Sequence, residues 1–540
     1  MRGGRIAALG EVSGRGRQTL DADGLVVAPG FIDIHTHYDA QILWDRMLSI
    51  SPWHGVTTAV MGNCGFGVAP TRPQHRRLIM QTLEKVEGMS VQALQAGLGA
   101  EWPFETFPQY LDTIEARGVG INVGVLIGHT PLRVYVMGDE ASDRPATAEE
   151  VARMRGLVRE AMDAGAVGFA TSKASTHVGA GGKPVPSRAA TLAEITALAG
   201  ALSDAGRGII QATVGRELFF DEFAEIVRAT GRPVTWTALL AGMMGPGSHR
   251  RLLDRSLELI RSGLPIIPQV TCRPLNFEFQ FKEPFIFESM SLFRPVSAAD
   301  LEGKARIYRD PEFRRAFKER AATPREGGAL PVAGRWDRTW ISWCPAEPAL
   351  EERVVAEVAA ERGVHPIDLA LDLALATNLD TRFRMAVMND DEDEVLELLA
   401  EGNTVLGLSD AGAHASQLCD ACFATYLLGR WVREKGALGL EQAVRMLTSR
   451  PAEVFGIEDR GRLAVGLAAD VVVFDPARVG ASPLRRVYDL PAGADRLVSD
   501  ASGIEAVMVN GTIIRRGGRE AVDPAGPLPG RVLRHGRARG

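Results

Sequence analysis

GFIDIHTHYDAQ, residues 30–41, closes an apolar run with two histidines one residue apart. In an extended chain residues i and i+2 face the same side, so His35 and His37 project together while Thr36 points away. Two imidazoles on one face form a chelating pair. Neutral imidazole binds zinc and related cations, and three or four such ligands hold an ion while leaving a position open for water. A lone histidine in an apolar setting reads as a satisfied core residue. This pair, ending a strand after Ala28-Pro29-Gly30, reads as a metal site with Asp33, Tyr38 and Asp39 around it.

The run at 31–35 is the first of eight apolar stretches of strand length. The others are VTTAVM (56–61), INVGVLI (121–127), VGFAT (167–171), GIIQAT (208–213), PVTWTAL (233–239), PIIPQV (265–270) and TVLGLS (404–409). Their near-continuous apolar character is that of parallel strands covered on both faces. Helical stretches separate several of them. TAEEVARMRGLVREAMDAG, for example, offers Thr147 as N-cap, Glu150 as capping-box partner and Gly165 as stop. Eight β–α repeats predict an α/β fold, a closed TIM-like (β/α)8 barrel with its chemistry at the C-terminal ends of the strands. A doubly wound open sheet is the alternative.

The barrel spans 30–452 and is interrupted by an insertion at 272–345, rich in aromatic and polar residues. A connection that long reads either as a lid over a site or as a packed surface subdomain. Residues 1–29 and 453–515 share short strands and tight turns, with Asn510-Gly511 as a hairpin signal, so both chain ends are expected to build one small composite β-sandwich. The basic, glycine-rich 516–540 reads as a frayed tail.

Composition narrows the function classes. Of 540 residues 46% are hydrophobic and 24% charged, with a net charge of -6, which is ordinary for a globular protein and supplies no basic footprint for nucleic acid or membrane. The expected partner is a small molecule. Five scattered cysteines do not make a secreted disulfide framework, and the N-terminus carries no apolar leader, so a cytoplasmic setting is expected.

A metal site needs an anion and a base. Asp410, in NTVLGLSDAGAH just past the eighth strand, would adjoin the first strand in a closed barrel, where it can bind the ion and take a proton from its water; an N-cap is the plainer reading. Cys64, in VMGNCGFG after the second strand, is either a thiolate ligand among close-packed glycines or a buried inert thiol.

APGFIDIHTHYDAQ, GVTTAVMGNCGFGVAP, LGLSDAGAH and LTSRPAEVFGIEDRGRLAVGLAADVVVFD together resemble the amidohydrolase superfamily, in particular its N-acyl-D-amino-acid deacylase (D-aminoacylase) branch. The resemblance runs from near the N-terminus to about residue 515. It implies zinc-dependent hydrolysis of a non-peptide amide, one or two Zn2+ ions at His35, His37, Cys64 and Asp410, with Asp410 as general base, and an aromatic insertion that covers the substrate.

The chain departs from that pattern in places. Further histidine ligands belong at the ends of the fifth and sixth strands, yet Gln211 stands at the first position and Thr235 or Thr237 near the second. Lys173 matches the place of a bridging carbamylated lysine elsewhere in the superfamily; otherwise it is a free cation for a substrate carboxylate. His177 is a metal or substrate candidate or a surface residue. His129 is a substrate or supporting group, and Arg133, Arg188 and Arg216 are candidates to grip a carboxylate-bearing amide. The family's sandwich opens with a strand pair before GRIAALG, while Met1 begins almost there, which is read as a late start or a reduced sheet with an exposed edge. Two alternatives remain: a cyclic-amide hydrolase of the hydantoinase or dihydroorotase kind, supported by Lys173, and a non-catalytic barrel with a degenerate metal site.

Overall fold

The structure, a computed structural model, describes residues 1–12, 16, 18–288, 290–323 and 332–538. Residues 13–15 and 17 of the first segment, 289 and 324–331 of the insertion and 539–540 of the tail lie outside the described residues. The chain divides into two compact units, one of Met1–Leu239, Leu252–Cys272 and Leu396–Gly540, the other of Leu240–Arg251 and Arg273–Val395.

All eight expected barrel strands form in the first unit: Phe31–Asp33, Val56–Met61, Asn122–Gly128, Gly168–Ser172, Ile209–Thr213, Val234–Thr237, Ile266–Val270 and Val405–Leu406. They pair in parallel and in chain order. A parallel bridge between Thr36 and Ala411, with the His37 amide donating to the Ala411 carbonyl, joins the eighth strand's exit to the first and closes the ring. A doubly wound open sheet would have left those two ends apart. The first strand is shorter than expected, stopping at Asp33, but the chain stays alongside its neighbour because the Thr36 amide donates to Val60. The helix Ala148–Ala164 starts on the Thr147–Glu150 capping box and ends at Gly165, as its sequence predicts.

Both chain ends contribute to one five-stranded antiparallel sheet. Val26–Pro29 lies at its edge, followed by Val471–Phe474, Ile504–Val509, Thr512–Arg516 and Arg519–Glu520, with two small strand pairs nearby in sequence, Gly480–Ala481 with Ala501–Ser502 and Arg485–Val487 with Arg496–Val498. The tail corrects the expectation of a frayed end. Gly530 donates to Val119, Val123 donates to Arg531, and Val532 and Leu533 are buried before the hairpin Leu533–Arg534/Arg537–Ala538. The physical reason is a pair of apolar side chains hidden among arginines and glycines, enough to anchor a segment that average composition marks as soluble.

The second unit also revises the insertion's limits: it runs to Val395 rather than 345. Its frame is a three-stranded antiparallel sheet of Thr339–Trp343, Arg382–Met388 and Leu275–Gln280, in that order. The aromatic residues that suggested a lid form this unit's own core, where Phe279, Phe281, Phe287, Phe293, Tyr308, Phe317 and Trp336 are buried. Their rings meet edge-to-face or offset, as for Phe279 and Phe287 at 5.3 Å and Phe293 and Phe317 at 5.1 Å between centroids.

Candidate metal centre

The ends of strands one, two and eight bring His35, His37, Cys64 and Asp410 together. Nitrogen and sulfur donors of His35, His37 and Cys64 all lie within 4.8 Å of one another. His35 Nε2 stands 3.5 Å from Cys64 Sγ and 3.2 Å from Asp410 Oδ1, and His37 Nε2 is 3.6 Å from the same carboxylate oxygen.

Local backbone explains why these side chains converge. Cys64 takes a left-handed conformation, φ 55°, between Gly62 at 87° and Gly65 at 74°. A Cβ on Gly62 would stand 2.2 Å from the Leu126 carbonyl, so only glycine lets this loop press against the third strand. Asp410 is also left-handed, φ 45°, and a Cβ at Gly412 would meet the His37 carbonyl at 2.7 Å. Such strained positions cluster where surrounding structure holds them for a purpose.

Two glutamines on the inner barrel wall hold the group. Gln269, on the seventh strand, accepts from His35 Nδ1 at 2.8 Å, which leaves the Nε2 lone pair facing Cys64 and Asp410. Gln211, on the fifth, accepts from the Cys64 amide at 2.7 Å. Behind His37, Glu87 Oε1 stands 3.0 Å from Nδ1 as its ion-pair partner, and both buried carboxylate oxygens lack a directed hydrogen bond. Asp33 Oδ2 is likewise buried and unpartnered.

Electrostatics follow from burial and mutual proximity. Burial pushes the Cys64 thiol up, but His35 and His37 beside it bring it down to about 7. Burial lowers the affinity of His35 and His37 for protons; the Cys64 and Glu87 charges respectively, with Asp410, outweigh it and raise both. For Asp410 burial works upward, and the His37 hydrogen bond with the His35, His37 and His414 charges prevails, holding the carboxylate ionised well below its usual range. Burial raises Asp33 and Asp39 to about 7. Asp39 accepts from the Gly62 amide at 3.1 Å, supporting the cysteine loop.

The other candidates separate. His177 lies by the cluster, its ring 5.0 Å from Phe66 and its Nδ1 2.6 Å from Ser172 Oγ, and burial with nearby His414 and His37 depresses it to about 3, so it is neutral. Lys173 Nζ donates to the Arg188 and Ala190 carbonyls. That tether fits neither a bridging carbamate, whose oxygens would face those carbonyls, nor a cation free for substrate. His129 and Arg133 also depart from a substrate-binding role. They lie at i and i+4 on the helix His129–Met137 and converge on Glu194; His129 spends its other nitrogen on Thr171, and Arg133 is fully buried with its remaining groups on the Ala141 and Arg144 carbonyls. Arg188 is partly exposed and donates to Ser175 and His177 carbonyls, while Arg216 projects from a tight turn with 94% of its side chain exposed.

Sequence reading missed Gln269, Glu87 and Glu194. Signals existed for two of them: PIIPQV carries a glutamine in an apolar strand, and Glu87 ends a helix at Gly88, where the dipole disfavours a carboxylate.

Residues 18–515 match the model of the Amidohydrolase family. The chain belongs to this family. It is 32% identical to the D-aminoacylase of Alcaligenes xylosoxydans xylosoxydans over 95% of this chain and 89% of that one. This amidohydrolase is also similar to the crystal structure of the N-acyl-D-glutamate deacylase from Bordetella bronchiseptica complexed with zinc and a phosphonate inhibitor, at 29% identity and TM-score 0.63, covering 99% of this chain and 94% of the other. A D-aminoacylase structure with a binuclear metal centre, described as activated by one metal and attenuated by a second, aligns at 26% identity and TM-score 0.64 over 98% and 94%. Among the described residues no helix is long and apolar enough to cross a membrane.

Proposed function

We propose that this amidohydrolase is a zinc-dependent deacylase of N-acyl-D-amino acids. The observation that carries the reading is the convergence of His35, His37, Cys64 and Asp410 at the barrel mouth, in a chain alignable end to end with D-aminoacylase.

The donor set suits zinc: two imidazoles, a thiolate and a carboxylate, whose two negative charges balance a divalent cation, with the Glu87 carboxylate ion-paired behind His37. Bound there, zinc would polarise the amide carbonyl and make water a stronger acid. Asp410, already ionised, takes a proton from the attacking water as its oxygen adds to the carbonyl carbon. The C–N bond then breaks, and Asp410 returns that proton to the departing amine nitrogen, leaving a carboxylate and a free amino acid. Gln269 keeps the His35 imidazole aimed, the Glu87 charge stands behind His37, and neutral His177 can donate toward the substrate. With Arg133 spent on Glu194, Arg188 and Arg216 are left from the candidate set to meet a substrate carboxylate.

The hydantoinase-like alternative loses its support with the tethering of Lys173. A reducing, cytoplasmic setting is supported by five buried cysteines, none of them joined in a disulfide. The test is release of free amino acid from matched N-acetyl-D- and N-acetyl-L-amino acids by zinc-loaded protein, with His35→Ala as control. D-selective, His35-dependent release is expected; binding without turnover under zinc, cobalt and manganese would instead favour a non-catalytic barrel.

A further inference from the structure

We infer that this site holds one metal ion, and that Gln211 serves as a positioning residue for Cys64 in place of a ligand to a second ion. The inference rests on the zinc reading above.

Opposite the His35–His37–Cys64–Asp410 cluster, the inner faces of strands five to seven are closed by neutral polar groups already bonded to one another. Gln211 Oε1 accepts from the Cys64 amide, its Nε2 lies 3.4 Å from Thr237 Oγ1, and Thr237 reaches Thr213 at 3.1 Å. Gln269 links His35 to Thr235, with its Nε2 3.3 Å from the threonine oxygen. All of Gln211, Thr235 and Gln269 are fully buried. Amides and hydroxyls cannot neutralise a divalent charge, and drawing them onto an ion would break the bonds that hold Cys64 and His35.

A second ion also needs an anionic bridge. Lys173, the position from which one could come, has its Nζ donating to two backbone carbonyls. Among the described residues, His35, His37 and Cys64 are the one group of three histidine, cysteine or acidic side chains close enough to share an ion. The left-handed Cys64 backbone gives Gln211 its task. With φ at 55°, the loop needs an external hold, and the 2.7 Å bond from its amide to Gln211 supplies it.

The test uses the full chain, stripped of metal by chelation and titrated with cobalt(II). Thiolate-to-cobalt absorption reports Cys64 ligation, and elemental analysis after desalting reports stoichiometry. Absorption is expected to rise linearly to one equivalent and stop, with one ion retained. A plateau at two retained equivalents overturns the inference while leaving the metal reading intact; no absorption and no retained ion overturn both. In Gln211→Leu and the milder Gln211→Asn, the plateau is expected to stay at one equivalent while cobalt affinity falls about 10- to 100-fold and thiolate absorption weakens. Parent-like affinity and absorption in a folded variant would refute the positioning role.

Discussion

Replacing Gln269 with leucine tests the centre through a residue that is not itself a ligand. The His35 ring is fully buried, and its Nδ1–H has the 2.8 Å bond to Gln269 Oε1 as its hold. Leucine fills similar volume but accepts nothing. A buried donor left unsatisfied costs about 1–3 kcal/mol. Loss of a group orienting a metal-bound histidine costs roughly 10- to 100-fold in affinity, or about 1.4–2.7 kcal/mol, so the two routes agree. The freed ring can rotate or change tautomer, turning its lone pair from Cys64 and Asp410. Competition for zinc against a chromophoric chelator at constant pH measures the affinity, kcat/KM on an N-acyl-D-amino acid measures the consequence, and circular dichroism checks folding. Zinc affinity within twofold of the parent in a folded protein would refute the argument that Gln269 orients His35 as a ligand.

Asp410→Asn is expected to lower kcat about 100- to 10,000-fold, because the proton transfers lose their carrier; initial rates under saturating zinc and substrate check it. Glu194→Gln leaves buried Arg133 without its counter-charge and should destabilise the first unit by about 3–5 kcal/mol, read by urea unfolding. Burial pushes Glu194 up, but the His129 hydrogen bond and Arg133 hold it at about 2, below the ordinary carboxylate value. Its stabilisation is therefore complete above that ordinary value and fades as pH falls through about 2; acid titration of parent against variant should show their stabilities converging. Leu533→Ala should cost about 2–5 kcal/mol, a loss a frayed tail would not show in thermal denaturation. Arg216→Ala should raise KM for acyl amino acids about 10-fold with kcat little changed if this side chain meets the carboxylate; an unchanged KM leaves Arg188 as the candidate.

Much of the architecture was legible because it rests on local patterns. Eight buried parallel strands must be apolar on both faces, and that requirement alone located each of them to within a few residues. Thr147, Glu150 and Gly165 announced a helix through chemistry that acts over three or four residues. His35 and His37 were legible because alternation along an extended chain is set by the backbone. What the sequence could not rank was the polar residues whose value depends on a distant partner. Arg133, Arg188 and Arg216 are equivalent by position after a strand, yet Glu194, 61 residues from Arg133, takes one of them out of play. Gln211 stood at a recognisable gap in a ligand pattern, but that it holds the Cys64 amide required strands two and five to face each other across the barrel interior. Gln269 and Glu87 carried only local oddities for the same reason, and gained a role when the closed ring set one against His35 and the other against His37. Val532 and Leu533 likewise changed a soluble-looking tail into a packed one. The linear chain carries periodicity and local capping energies; pairing energies across a barrel exist only after closure, and those decide which polar groups are free to do chemistry.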